Sequence, residues 1–287
     1  CSKKRKRYNM PELPEVETVR RGMAPVMEGQ IIKEARAWVP KLRVDIPADF
    51  KERFSGNRVT RLTRRSKYIL IECADGLVAI LHLGMSGRVN IYQAGATLPP
   101  RQKHDHLTFL TEKGDTIIFN DARRFGLIVF SSNNTIDDHA LIKDIGPEPL
   151  GNAFHADYLT TALSRRKSPI KTTLLDQKIV AGLGNIYVCE VLWRAGIHPQ
   201  RRADSLSEAE AASLVPIIRD VLIEAIEAGG STLKDYAQVS GELGYFQHSF
   251  QAYGREGQAC TSAKCGAIIQ RIVQSNRSSF FCPNCQT

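Results

Sequence analysis

Apolar residues recur at helical spacing near the start of this chain and again in its second half, and a long β-rich passage divides the two. Between Pro14 and Gly29, the residues Val16, Val19, Met23 and Val26 fall three or four apart. That spacing predicts an amphipathic helix of about three turns, with Arg20 and Arg21 facing away from the apolar stripe. From about residue 31 to 131 the character changes to short β-rich runs. The runs Ile31–Val39, Arg58–Leu62, Tyr68–Cys73, Leu77–Leu83, Arg88–Tyr92, His106–Thr111, Thr116–Asn120 and Gly126–Ser131 read as strands. Glycine-containing turns such as Ala74-Asp75-Gly76 and Glu112-Lys113-Gly114-Asp115 separate several of them. The pattern predicts an antiparallel sandwich or barrel with few helices. Asn133 to Gly151 is turn-rich, ends in Gly146-Pro147-Glu148-Pro149, and marks the domain boundary. Helical spacing then returns over 154–165, 169–175, 185–195 and 207–228. The last of these opens on a capping box, Ser207 with Glu210, and stops at Gly229-Gly230. Pro216 is expected to kink or divide it.

Composition adds a partner and a metal. The chain has 287 residues, 43% hydrophobic and 24% charged, an ordinary globular balance with room for two domains. No run of 18 apolar residues and no signal-peptide core is present, so no membrane span is expected. A net charge of +9 points to a polyanionic partner. Lys3-Lys4-Arg5-Lys6-Arg7 supplies five of those charges and reads as a disordered tail, with nuclear targeting or an appended remnant as alternatives. Cys1 in place of a methionine suggests that residues 1–9 are not the natural start. Of seven cysteines, Cys260, Cys265, Cys282 and Cys285 crowd the end of the chain. The pairs C-x4-C and C-x2-C are spaced for a four-thiolate zinc site with no open position, hence a structural ion in a reducing compartment. Between the pairs, Ile268–Val273 and Arg277–Phe281 read as a hairpin with Arg277 near its tip, able to approach a phosphate.

Several stretches carry candidate chemistry. If translation starts at Met10 and the initiator is removed, Pro11 becomes a terminal secondary amine. Its pKa near 8, against about 10.4 for lysine, leaves far more of it nucleophilic at pH 7. Glu12 and Glu15 beside it could move protons around an iminium. The same letters also read as a helix start, with proline in the first turn and acids against the positive helix end. Arg61, Arg64, Arg65 and Lys67 precede a strand and read equally as a solvated basic edge or as phosphate contacts. Leu81-His82-Leu83-Gly84-Met85-Ser86-Gly87 offers an exposed-looking Met85, and Asn120-Asp121-Ala122-Arg123-Arg124-Phe125-Gly126 offers arginines and an aromatic. Separately these are turn and core; together they are what fills the gap left by an extruded base. Val180–Tyr187 is a glycine-rich helix entry where backbone amides can hold a phosphate. His104-Asp105-His106 reads as a polar strand start.

In register from Pro11 to Gln286, these segments resemble the bacterial formamidopyrimidine-DNA glycosylase family. The resemblance rests on Pro11-Glu12-Leu13-Pro14-Glu15-Val16-Glu17, Arg65-Ser66-Lys67-Tyr68, His82–Gly87, Asp121–Gly126, Gly146–Leu150, Gly182–Tyr187 and Tyr253-Gly254-Arg255. It implies an α+β chain of two domains: an N-terminal β-sandwich with an N-terminal helix (11–145), and a helix–two-turn–helix domain (146–248) ending in a four-cysteine zinc-finger hairpin (249–287). Residues 1–10 form a basic extension. The implied activity is excision of oxidised purines from duplex DNA, with Pro11 forming a Schiff base at C1′ and β,δ-elimination following. Glu12 would transfer protons, Glu15 would support the site, and Lys67 would act at the lesion phosphates. His104, Lys171, Asn185 and Arg277 would join Arg123 in binding DNA, while Met85, Arg123 and Phe125 fill the void. The loop from about 234 to 245 aligns with the lesion-capping loop. Leu13 favours the purine branch over the related pyrimidine-lesion group.

The resemblance further implies one zinc ion, damaged double-stranded DNA as partner, a monomer, and a nucleoid-associated life in the bacterial cytoplasm. Two departures stand out: four residues instead of two within the first cysteine pair, and ten residues that place the Pro11 nitrogen in a peptide bond, where it cannot form an iminium. A non-catalytic zinc-ribbon DNA-binding protein and an enzyme for oxidised pyrimidines are the competing readings.

Overall fold

The computed structural model describes residues 10–231, 246–263 and 265–287; the basic run Lys3–Arg7 and the 234–245 segment lie outside them. The chain divides into two compact units. Among the described residues, 10–143 with 229–231 make the first, and 144–228 with 246–263 and 265–287 make the second.

The first unit opens with α1 (Leu13–Met27), which buries Val16, Val19, Met23 and Met27. Gly29, at φ +76°, takes the left-handed turn that ends it. Arg21 is exposed as its spacing predicts, but Arg20 is not turned away. Glu17 draws it in at 2.8 Å, and its other nitrogen donates to the Leu62 carbonyl at 3.2 Å.

The β-rich runs become β1 (Ile32–Ala37), β2 (Val59–Arg65), β3 (Tyr68–Cys73), β4 (Leu77–His82), β5 (Gly87–Tyr92), β6 (Asp105–Thr111), β7 (Thr116–Asp121) and β8 (Leu127–Ser132). They form two antiparallel four-stranded sheets, ordered β1-β6-β7-β5 and β2-β3-β4-β8. The alternation in β3 is read out directly, with Ile69, Ile71 and Cys73 buried and the residues between them half-buried. One core joins both sheets to α1 and holds an aromatic cluster of Phe50, Phe54, Phe109 and Phe130, with centroids 5.0–6.3 Å apart. Phe50 and Phe54 enter it from α2 (Phe50–Phe54), a five-residue helix whose length gives the hydrophobic period too few turns to register.

The second unit contains α3 (Ala156–Ser164), α4 (Ile170–Leu174), α5 (Asn185–Ala195), α6 (Glu208–Glu227) and the hairpin β9 (Gln270–Gln274) to β10 (Arg277–Phe281). The expected capping box is present: the Ser207 hydroxyl accepts from the Glu210 N–H at 3.2 Å, and the Glu210 carboxylate accepts from Ser207 N–H at 2.8 Å. Pro216 does not divide α6, which runs through it as one element. Its ring lies on the exposed face, so the missing hydrogen bond falls on the water side while Leu214, Val215 and Ile218 stay buried. The segment after the boundary is fixed by Arg219, whose guanidinium donates to the carbonyls of Pro149, Gly151 and Phe154 at 2.7–3.0 Å.

Candidate active site and nucleic-acid interface

In the first unit, Pro11 is buried immediately before Glu12, the N-cap of α1. Glu12 and Glu15 are each only 3% exposed. One oxygen of Glu15 accepts the Glu12 N–H at 2.9 Å, closing the first turn, and the other accepts from Ser231. Further along the helix, burial works to raise the Glu17 pKa. Hydrogen bonds from Arg20 and Arg21 and the charge of Arg64 outweigh it and hold the carboxyl below its ordinary range. Arg64 bridges from Glu17 (3.3 Å) to the Ser66 carbonyl (3.0 Å). Ser66 sits at φ +53° in the two-residue turn between Arg65 and Tyr68, a conformation that glycine usually supplies. The turn delivers Lys67 inward, where it is 7% exposed. Arg61 instead pairs with Glu72 on the surface, so the basic run splits into a solvated part and a buried lysine. At the end of β4, His82 accepts the Gly84 N–H on Nδ1 at 3.0 Å. Burial, then the charges of Lys67 and Arg43, pull its pKa down to about 4, against a smaller opposing pull from Asp121.

The two loops that carry Met85 and Phe125 are locked to each other. Asp121 is fully buried. One of its oxygens accepts from the Ser86 hydroxyl (2.5 Å) and the Arg123 N–H (3.2 Å), and the other accepts the Gly126 N–H (2.7 Å). Gly84, at φ +66°, lets the first loop lie directly on the Phe125–Gly126 backbone; a Cβ there would overlap it. Phe125 is 42% exposed with the Arg123 guanidinium 4.5 Å from its ring centroid. Met85 is half-buried between these neighbours, less exposed than its flanking glycines suggest. His104 is half-buried at the entry to β6, and its carbonyl accepts the Asp121 N–H at 3.0 Å.

In the second unit, the glycine-rich entry is folded around Gln177. Its Nε2 donates to the Leu183 carbonyl (2.8 Å) and its Oε1 accepts the Gly182 N–H (2.9 Å). α5 then begins at Asn185, whose Nδ2 donates to the Ser278 carbonyl at 2.9 Å. Lys171 converges on the same strand: its ammonium, completely buried, donates to the Ser278 carbonyl (2.9 Å) and the Ser279 hydroxyl (2.7 Å). Both side chains therefore grip β10 beside Arg277. Ser275 and Asn276, at φ +46° and +61°, make the tight turn, and Arg277 is exposed next to it.

The four thiols lie within 4.8 Å of one another, with Cys265–Cys285, Cys265–Cys282 and Cys260–Cys285 at 3.2, 3.5 and 4.0 Å. Tetrahedral Zn–S bonds of about 2.3 Å put sulfurs about 3.8 Å apart, so the residues fit one structural zinc with every position filled. The Ala267 N–H, then donors from Cys285 and Asn284, lower the Cys265 pKa to about 6, while the Cys285 thiol beside it is pushed up to about 12, first by Cys265. The longer first knuckle turns at Gly266 (φ +65°) and still delivers both its sulfurs.

Three organising groups carry no role in the sequence reading. Asp121 and His82 sit inside motifs quoted for their neighbours. Glu190, alone among the apolar residues of α5 that surround it, is buried and accepts the N–H groups of Gln251, Ala252 and Tyr253 at 2.7–3.0 Å. Burial raises its pKa against those three donors. A single acid in an apolar helical run is a signal for such a role, but its partners lie 61–63 positions away.

Comparison with known proteins matches residues 10–128 to the formamidopyrimidine-DNA glycosylase N-terminal domain and 145–237 to the H2TH domain of the same enzymes. Residues 263–287 match a zinc finger found in FPG and IleRS. The formamidopyrimidine-DNA glycosylase of Dinoroseobacter shibae is 56% identical over 283 residues, covering 96% of this chain and all of that protein. Its counterpart from Azorhizobium caulinodans is 51% identical with the same coverage. Among solved structures, a Lactococcus lactis Fpg complexed with abasic-site DNA is 38% identical, with TM-score 0.85 over 96% of this chain and 99% of that one. A MutM complexed with DNA containing carbocyclic 8-oxo-G is 38% identical, with TM-score 0.86 over 96% of this chain and all of the other. The chain belongs to the formamidopyrimidine-DNA glycosylase family, whose members are DNA glycosylase/AP lyases.

Proposed function

We propose that this protein removes oxidised purines, 8-oxoguanine and formamidopyrimidines, from duplex DNA and then cleaves the strand at the resulting site. The observation that carries the reading is the N-terminal end of α1, where Pro11 is buried with two nearly inaccessible carboxylates beside it. In a chain that begins at Pro11, its secondary amine attacks C1′ of the damaged nucleotide. The glycosidic bond breaks and the base leaves with the amine's proton; the C1′–O4′ bond then opens as O4′ takes up a proton, and an iminium remains. Glu12 exchanges protons with the sugar. Loss of a C2′ proton expels the 3′ phosphate, and a second elimination expels the 5′ phosphate, leaving phosphate at both ends of the gap.

Lys67, at the tip of its strained turn, and Arg277, on the zinc hairpin, act on the lesion phosphates. Lys171 and Asn185 contribute by holding the strand that presents Arg277. Met85, Arg123 and Phe125 occupy the space the extruded nucleotide leaves. His104 is a backbone contact. The three working segments are 11–145, 146–248 and 249–287. Among the described residues no helix is long and apolar enough to cross a membrane, and the setting is the DNA of the bacterial cytoplasm.

The test is borohydride trapping of a Pro11-start protein on duplexes with 8-oxoguanine opposite cytosine and with thymine glycol. A covalent adduct stronger on the purine lesion is expected. Binding of duplex with no adduct would leave a zinc-ribbon DNA-binding protein instead.

A further inference from the structure

One cationic cluster lies outside everything the excision chemistry uses. Trp38, just past β1, keeps 38% of its surface exposed, and the guanidiniums of Arg36 and Arg101 each lie 4.7 Å from its ring centroid. The indole is pinned: its Nε1–H donates to the Thr108 hydroxyl (2.9 Å) and its backbone N–H to the His106 carbonyl (2.9 Å). Arg101 is fixed from a second side, donating to the Asp105 carbonyl at 3.3 Å.

The cluster is continuous with the loops just described. Trp38 is bonded to the start of β6, and the His104 carbonyl in that same start accepts from Asp121, which locks the Arg123–Gly126 loop. Trp38 and Asp121 are thus two strand spacings apart across the sheet and two residues apart along β6, about 12 Å in all, which is between about three and four base-pair steps of 3.4 Å. The groups around this path carry one sign. Lys103, Arg123 and Arg124 are exposed, whereas Asp105 and Asp121 are buried and already accept hydrogen bonds. Three acids near Trp38 reach solvent: Glu34 is engaged by Arg36 at 2.8 Å, Asp45 is paired with Lys41 at 3.2 Å, and Glu52 lines the cavity on the far side of Trp38 from this path.

We propose that Arg36, Trp38 and Arg101 form a second, sequence-independent contact to the DNA backbone, about three to four base pairs from the void-filling loops. The inference rests on the proposed reading only in taking duplex DNA as the partner. A guanidinium laid on an indole keeps its N–H edge for a phosphate while the ring limits its rotamers and strips water from its face. The indole N–H is already satisfied by the Thr108 hydroxyl, and guanidiniums that meet phosphates position the duplex without specifying its sequence.

The test scans single neutral methylphosphonates along both strands of a long duplex centred on a tetrahydrofuran abasic analogue, using the full chain and its Trp38→Ala, Trp38→Phe and Arg101→Ala variants. Each phosphate contact contributes a salt slope of about 0.9, so it changes affinity about 3.5-fold between 50 and 200 mM salt. The expected result is a position two to five base pairs from the analogue where neutralisation weakens the unmodified protein by about that factor. The same neutralisation should no longer weaken Trp38→Ala or Arg101→Ala, and Trp38→Phe, which keeps a stacking face, should retain the coupling. Absence of any coupled position in that window overturns the proposal, as does a protein captured on this face with DNA coupling absent. A coupled position found alongside failed borohydride trapping leaves the backbone contact standing and removes the excision reading.

Discussion

Glu15 and Ser231 are joined across 216 positions of sequence: one carboxylate oxygen accepts both the N–H and the hydroxyl of Ser231, each at 2.8 Å. The other oxygen holds the Glu12 N–H. One side chain therefore ties the end of α1 that carries Pro11 to the Gly229–Gly230 turn. Gly230, at φ +79°, would put a Cβ 3.2 Å from the Glu15 side chain, so both its backbone angle and its lack of a side chain serve the contact.

Glu15→Gln replaces one acceptor by an N–H group that must face a donor. We expect a loss of about 1–3 kcal/mol in urea unfolding, together with less borohydride-trapped adduct. Wild-type stability and trapping in this variant would show that the tie does not matter.

Asp121→Ala unlocks the loops carrying Met85 and Phe125 at once. Discrimination between cytosine and adenine opposite the lesion should fall by 10-fold or more, about 1.4 kcal/mol, and by more than cleavage of a plain abasic site. Equal losses on both substrates would mean that Asp121 serves the fold alone.

His82 sets a pH dependence. Its folded pKa near 4 lies below the unfolded 6.5, so between these values the unfolded chain takes up a proton that the folded one refuses. The contribution is fully present above pH 6.5 and is lost as pH falls toward 4, about 3 kcal/mol in all. Urea midpoints measured across that window should flatten in His82→Asn, which keeps an acceptor for the Gly84 N–H but does not titrate.

Removing zinc should release the second unit. Trp193, Tyr253, Ile269 and Phe280 pack around the cysteines, so chelation or Cys265→Ala should lower its melting temperature by on the order of 10 °C or more. The same treatment should change Trp193 fluorescence and weaken DNA binding through Arg277. Unchanged melting would refute a structural ion.

Much of this was legible in the letters because each signal is local. The strands β1 to β8 follow from β-rich runs set off by turns, α6 from its capping box, and the metal site from cysteine spacing. What escaped is pairing between distant residues. Nothing near Lys171 announces that its amine reaches Ser278, and nothing near Arg20 shows that Glu17 and the Leu62 carbonyl draw it inward. Asp121 was hidden differently, as one letter of a motif whose exposed members drew attention from the buried acid beneath them. Pro216 leaves α6 undivided because the penalty for proline depends on which face it occupies, and that is settled by packing.

The knot at Asp121 has a kinetic consequence. A loop that orders only on meeting its ligand lowers the fraction of encounters that succeed, by the fraction of time it spends in the competent shape. Here the Ser86, Arg123 and Gly126 contacts are made within the first unit itself. On the proposed reading, the loops carrying Met85 and Phe125 reach DNA already set, and no ordering step of these two loops lowers the fraction of encounters that succeed.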